Sequence, residues 1–224
     1  MFKIRQVENM TTTQPSEFKR KRAPSKRALA TKNRVLNAAE KVFAARGFDG
    51  ATIRDIATEA GEPVGTIHHH GGGKEALFHQ TIARRAEALS QARLSALSQI
   101  RARDDLTLET VWSAFIRPFF DLTHEDPRWR NYARLVAFVS VDDRWRDISA
   151  QFFDPTAEVF MQELLAILPS ASRPHLAEGF VFSVSAMLAL LTSQDRIGTL
   201  SGGQSQQDTQ IDHLVRFCAA GFAA

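Results

Sequence analysis

Apolar positions recur at three- and four-residue spacing through most of the chain, the period of helices that bury one face. Val35, Leu36, Ala39, Val42 and Phe43 mark the first, expected from a cap at Thr31 to about Arg46, with Gly47 where a left-handed stop is needed. Thr52 with Asp55 three residues on is a capping-box pattern. The helix it opens turns Ile53, Ile56, Ala57 and Ala60 inward and ends at Gly61. Pro63 suits the first turn of a third helix running to about His70. Two turns are marginal in water, so this helix must be held by packing, with Ile67 as its anchor. Gly71-Gly72-Gly73 stops it.

Longer helices are expected from there on. The first runs from Lys74 or Glu75 to about Arg101, with Leu77, Phe78, Ile82, Leu89, Leu94 and Leu97 on its apolar side. Others cover about 106–124, kinked at Pro118, and about 127–140. One from near Trp145 to Leu168 is bent or interrupted at Asp154-Pro155, and two more cover about 174–191 and 209–220. The Gly-, Ser- and Gln-rich stretch from Ile197 to Asp208 reads as a mobile loop. With no convincing strand and no internal repeat, the expected fold is all-α: a three-helix helix-turn-helix unit followed by a helical bundle, about nine helices in total.

The 224 residues, 44% of them hydrophobic, suffice for a packed core. The net charge of +3 is unevenly spread. Lys19, Arg20, Lys21, Arg22, Lys26, Arg27, Lys32 and Arg34 crowd one short segment, which suits an anionic surface such as phosphate. Residues 1–27 are read as a flexible basic arm, 28–78 as the helix-turn-helix unit and 79–224 as a helical body. The lone Cys218 excludes an intramolecular disulfide and a cysteine-based zinc cluster, consistent with a reducing cytoplasm. No apolar run approaches the ~20 residues of a membrane span, and no signal-peptide core is present, so a cytoplasmic, nucleoid-associated protein with no membrane partner is expected.

The chemistry in Thr52–Lys74 is recognition. A helix enters the major groove only if it stands clear of its own domain and is braced from behind. Pro63, Val64, Gly65, Thr66 and His69 fall on or near the outward side of the short third helix. Thr52 and Arg54 open the preceding helix, where amides and a cation suit phosphate, and Lys74 follows the glycines.

The stretch RVLNAAEKVFAARGFDGATIRDIATEAGEPVGTIHHHGGGKEALF resembles the N-terminal domain of the TetR family of transcriptional regulators. The residues that carry the resemblance are Ala38, Ala39, Phe43, Gly47, Phe48, Thr52, Ile56, Ala57, Ala60, Gly61, Gly65, Thr66, Lys74, Glu75 and Leu77. It implies a homodimer that binds a pseudo-palindromic double-stranded operator and a second, helical domain that takes a small-molecule effector.

This chain departs from the family pattern at four positions. Glu62 brings negative charge where an apolar residue is usual, and His68 and His70 replace tyrosines that often touch phosphate. Gly71 replaces a core phenylalanine, a change worth roughly 3–5 kcal/mol if nothing else adjusts. The expectation is a looser reading unit. His68, His69 and His70 are adjacent on a helix and point about 100° apart, so they do not converge on one ion. No metal, no cofactor and no catalytic constellation is expected; the histidines are read as donors to phosphate.

In the body, Trp112, Phe115, Arg117, Phe119, Arg134, Phe138, Phe152 and Phe160 are the candidate pocket residues, aromatics for an apolar ligand and arginines for a polar head group. Gly179, Ser183 and Ala186 mark a helix face small enough for close dimer contact. The sequence thus points to a repressor, not an enzyme, released from its operator by an apolar or amphipathic effector. The alternative is a ligand-binding or protein-interaction module whose DNA binding is weakened by the Gly71–Gly73 turn.

Overall fold

The computed structural model describes residues 25–203 and 206–223, so most of the basic arm (1–24) lies outside the described residues. Helix α1 (Lys26–Gly50) starts earlier than the periodicity suggests. Ser25, not Thr31, is its N-cap, accepting from the Ala28 amide at 3.2 Å. Lys26 to Ala30 contain no helix breaker, so their propensity extends the helix back into the basic run and Lys26 and Arg27 join its first turn. Thr31 instead accepts from Arg34 Nη2. Gly47 breaks α1 internally at φ 70°, ψ 175°, a conformation closed to side chains with a Cβ, and Phe48 then folds back over Phe43 and Phe78.

Helices α2 (Ile53–Ala60), α3 (Val64–Gly71) and α4 (Lys74–Ala102) follow. The body continues with α5 (Leu108–Glu125), α6 (Trp129–Val141), a 3-10 turn (Asp143–Trp145), α7 (Arg146–Phe152), α8 (Asp154–Ile167), α9 (Arg173–Thr192), α10 (Gln194–Ser201) and α11 (Gln207–Ala223). Among the described residues there are eleven α-helices and no strand. Two differences account for the count. The helix expected through Asp154-Pro155 is split into α7 and α8, Pro155 taking the first turn of α8, where its missing N–H costs nothing. The expected loop begins with α10, since the chain stays helical to Ser201 and turns only at Gly202, φ 71°.

One hydrophobic core runs through the chain. Helix α1 packs on α2, α4 and α6, α5 on α4 and α11, and α9 on α6, α8 and α11. Pro118 lies buried inside α5, which runs from Thr107, its capping-box residue, to Glu125. Two of the small residues of α9 pack within the chain: a Cβ on Gly179 would come within 2.7 Å of the Phe222 ring, and Ser183 is buried, whereas Ala186 is half-buried. Helix α9 is itself long and apolar enough, by length and composition, to cross a membrane, contrary to the expectation from sequence. Much of its apolar surface is uncovered: Val181 and Phe182 are exposed, as is Phe217 on α11.

Candidate nucleic-acid interface and interior cavity

The α2–turn–α3 unit is built from local chemistry. Thr52 accepts from the Asp55 amide while Asp55 Oδ2 accepts from both the amide and hydroxyl of Thr52. The hydroxyl of Thr52 keeps Asp55 ionised well below the usual carboxylate range, with help from Arg46. The turn closes through Gly61 N to Thr58 O and Glu62 N to Ala57 O. Ile56 and Ile67 are fully buried and brace the two helices from behind.

On the outer side, Pro63, Val64, Gly65, His68 and His69 are exposed, with Thr66 and His70 half-buried. Thr52 and Arg54 are exposed at the start of α2. The Lys74 ammonium donates to Ala51 O at 3.1 Å and lies 4.4 Å from the centre of the Phe48 ring. That contact uses one of three N–H donors and ties the start of α4 to the chain before α2. His68 Nδ1 stands 3.1 Å from Gly72 O, closing the end of α3, while the His69 and His70 rings meet edge-on at 5.0 Å. The three rings share no centre, and among the described residues no group of His, Cys, Asp and Glu is placed to hold a metal ion.

Two departures are compensated inside the unit. Glu62 accepts from Arg34 Nε and Nη2 at 3.2 and 2.5 Å, so its charge is paired on the spot. Gly71 is buried, and the Leu77 side chain occupies the space its Cβ would enter. Gly72 at φ 74° then turns the chain into α4, and Gln80 Nε2 donates to Gly71 O.

Two side-chain clusters reinforce the packing of this unit on the body. Glu40 on α1 is buried and accepts from Arg84 and from Arg85 (Nε and Nη2) on α4. Arg85 also reaches Asp126 before α6 and lies 4.7 Å from the centre of the Trp129 ring. In the 3-10 turn, Trp145 packs on Phe48 and Phe78, and Arg144 donates to both oxygens of Asp49. These bonds hold the Asp49 carboxyl below its usual range.

The body holds a partly open cavity of about 220 Å³. Phe115, Phe119, Phe153, Phe180 and Met187 supply apolar walls, and Arg93, Ser149 and Asp154 supply polar groups. Of the residues singled out in the sequence, only Phe115 and Phe119 line it. Phe160 meets Phe115 edge-on, and Trp112 packs on Phe180 and Phe222. Arg117 pairs with Asp212 on α11. Arg134 and Phe138 are exposed, and Phe152 is half-buried beside the lining residue Phe153. Helical spacing marks these aromatics as core-facing without saying which part of the core each faces. Arg93 escaped the sequence reading although it left a signal: it interrupts the stripe Ile82, Ala86, Leu89, Leu97 at a core position.

The family description "Bacterial regulatory proteins, tetR family" matches residues 35–81, and "Tetracyclin repressor-like, C-terminal domain" matches residues 113–221. The chain belongs to the TetR family of transcriptional regulators. It is 27% identical over 116 residues to the uncharacterized HTH-type transcriptional regulator TtgW of Pseudomonas putida, covering 52% of this chain and 79% of that protein. It is 26% identical over 113 residues to the HTH-type transcriptional regulator SrpR of Pseudomonas putida, a match spanning half of this chain and 48% of SrpR. Two solved structures share the fold. A TetR-like transcriptional regulator from Rhodococcus sp. RHA1 aligns with a TM-score of 0.61 at 18% identity, over 91% of this chain and all of the other. The hemolysin II transcriptional regulator HlyIIR aligns with a TM-score of 0.57 at 15% identity, over 86% and 98%. TetR-family regulators are DNA-binding transcription factors that act as dimers, and not enzymes.

Proposed function

We propose that this TetR-family protein is a repressor released from its operator by a small effector that enters the body cavity. The observation that carries the DNA-binding part is the stance of α3. Ile67 is fully buried while Pro63, Val64, Gly65 and His69 stand outward, the posture of a helix that docks in a major groove. In this reading Thr66 and His69 meet base edges with them, and Thr52, Arg54, His68, His70 and Lys74 meet the backbone. The pairing of Glu62 by Arg34 and the packing of Leu77 against Gly71 support this reading over a weakened DNA reader.

Release is read as a change in how the body holds the reading unit. Ser149 and Phe153 line the cavity and lie just after Trp145, which packs on Phe48 and Phe78. An effector with different affinity for two arrangements of this segment shifts the equilibrium between them. The exposed Val181, Phe182 and Phe217 are the proposed seat of the second subunit, which sets the spacing of the two α3 helices.

Selection of bound fragments from the source genome, repeated with candidate effectors, tests the proposal. Enrichment of a pseudo-palindromic site that is lost on adding an effector supports it. Enrichment insensitive to every effector would reject release by ligand while leaving DNA binding in place.

A further inference from the structure

Arg93 is a buried cation without a carboxylate. It is 7% exposed, and among the described residues no Asp or Glu pairs with it. Its Nε donates to Phe115 O at 2.9 Å and its Nη2 lies 3.5 Å from Met187 Sδ. The guanidinium carbon sits 3.7 Å from the centre of the Phe115 ring. Nη1 has no hydrogen-bond partner among the described residues. These contacts compensate a buried charge only in part, since a carbonyl, a thioether and a π-face replace the anion that burial ordinarily demands. The group still keeps its proton at neutral pH, because burial brings its pKa down only to about 9. The buried arginines Arg85 and Arg93 differ here: Arg85 is neutralised by Glu40 and Asp126, whereas Arg93 faces the cavity uncompensated.

We infer that the effector is a small amphipathic monocarboxylate whose carboxylate pairs with Arg93 and whose apolar body lies against Phe119, Phe153 and Phe180. This rests on the reading of the cavity as the effector site. An arginine fork holds a carboxylate through parallel hydrogen bonds, stronger than neutral ones. The cavity's 220 Å³ falls below the roughly 300–1,000 Å³ of pockets for drug-sized ligands, which selects a short aliphatic or single-ring acid over a long chain. Asp154, exposed where it lines the same cavity, opposes a second negative charge and so selects monoanions over dianions. The Ser149 hydroxyl, with no partner of its own among the described residues, adds a donor to the wall.

The test uses the full-length protein and paired probes: octanoate with octanamide, and 4-ethylbenzoate with 4-ethylbenzamide, titrated calorimetrically at pH 7. The acids should bind at least tenfold more tightly than their amides. Arg93→Gln should remove that preference, with Arg93→Lys keeping part of it and circular dichroism confirming that each variant folds. Asp154→Asn should tighten acid binding several-fold. Because the acid–amide comparison needs no substitution, it stands even if Arg93 variants fail to fold. Equal binding of acids and amides, or no binding of either pair, overturns the inference. Its failure is distinguishable from failure of the repressor reading by measuring operator binding separately. Release by neutral amphiphiles alone would keep the repressor and reject the carboxylate, and acid binding by a protein that holds no DNA would do the reverse.

Discussion

Leu77 fills the space beside Gly71: a Cβ built on Gly71 would lie 2.8 Å from Leu77 Cδ1 and 3.2 Å from Leu77 Cβ. The end of α3 packs directly on the first turns of α4 there, with Leu77 fully buried. Restoring a phenylalanine there overpacks a filled site. Gly71→Phe should therefore destabilise the protein by about 1–3 kcal/mol. Adding Leu77→Ala to Gly71→Phe should recover part of the loss. Urea unfolding of the single and double variants checks both, and stabilisation by Gly71→Phe alone would mean that the site holds unused space.

The Glu40 carboxylate is the centre of the α1–α4 junction. Replacing it by Gln leaves Arg84 without its anion and Arg85 with Asp126 alone, while keeping the shape. Arg84 is partly exposed and solvent screens it, so the cost should lie near the lower end of the ~3–5 kcal/mol typical of breaking a buried pair. Thermal unfolding of Glu40→Gln measures it, and a loss below measurement error would show that the cluster is not a structural tie.

Acidification should weaken the fold through carboxylates that hydrogen bonds hold ionised, four of them aspartates. Asp49 and Asp142 are held below their ordinary range first by hydrogen bonds from Arg144, Asp55 by Thr52, and Asp126 by Arg128. Their folded pKa values lie below the unfolded ones. Their stabilisation is thus complete above the unfolded value of about 4 and disappears as pH falls through the folded values. Stability measured from pH 6 to pH 2 should fall below about pH 4, and Asp49→Asn with Asp55→Asn should flatten that fall. An unchanged slope in the double variant would contradict the assignment.

The sequence made much of the reading unit legible because its signals are local. Capping at Thr52, the turn at Gly61 and the anchor Ile67 depend on neighbours a few residues away. What escaped it depends on distant partners. Gly71 looks like a defect until Leu77 is seen beside it, and Glu62 looks hostile to DNA until Arg34 is seen across from it. The cavity escaped for the same reason: helical spacing marks Trp112 and Phe115 alike as core-facing, and only packing separates the one against Phe222 from the one beside Arg93. The start of α1 was misplaced because a run of basic residues reads as solvated tail whether or not it is helical.

The uncovered apolar face of α9 and α11 should be the dimer contact. Phe182→Asp together with Phe217→Asp should shift the protein to monomer in sedimentation experiments and reduce operator affinity at least tenfold, since two-site engagement is lost. A dimer that survives both substitutions would place the contact elsewhere.

The exposed side of α3 is the centre of the account, and the affinity of the enriched genomic fragment measured across salt concentrations tests it most directly. For the unaltered protein, log affinity should fall linearly with log salt, as counterion release from contacted phosphates requires. Thr66→Ala and His69→Ala should weaken binding to that fragment by about 1–3 kcal/mol each with little effect on non-specific DNA. Binding unaffected by both substitutions, or no fragment bound even at low salt, would contradict the account.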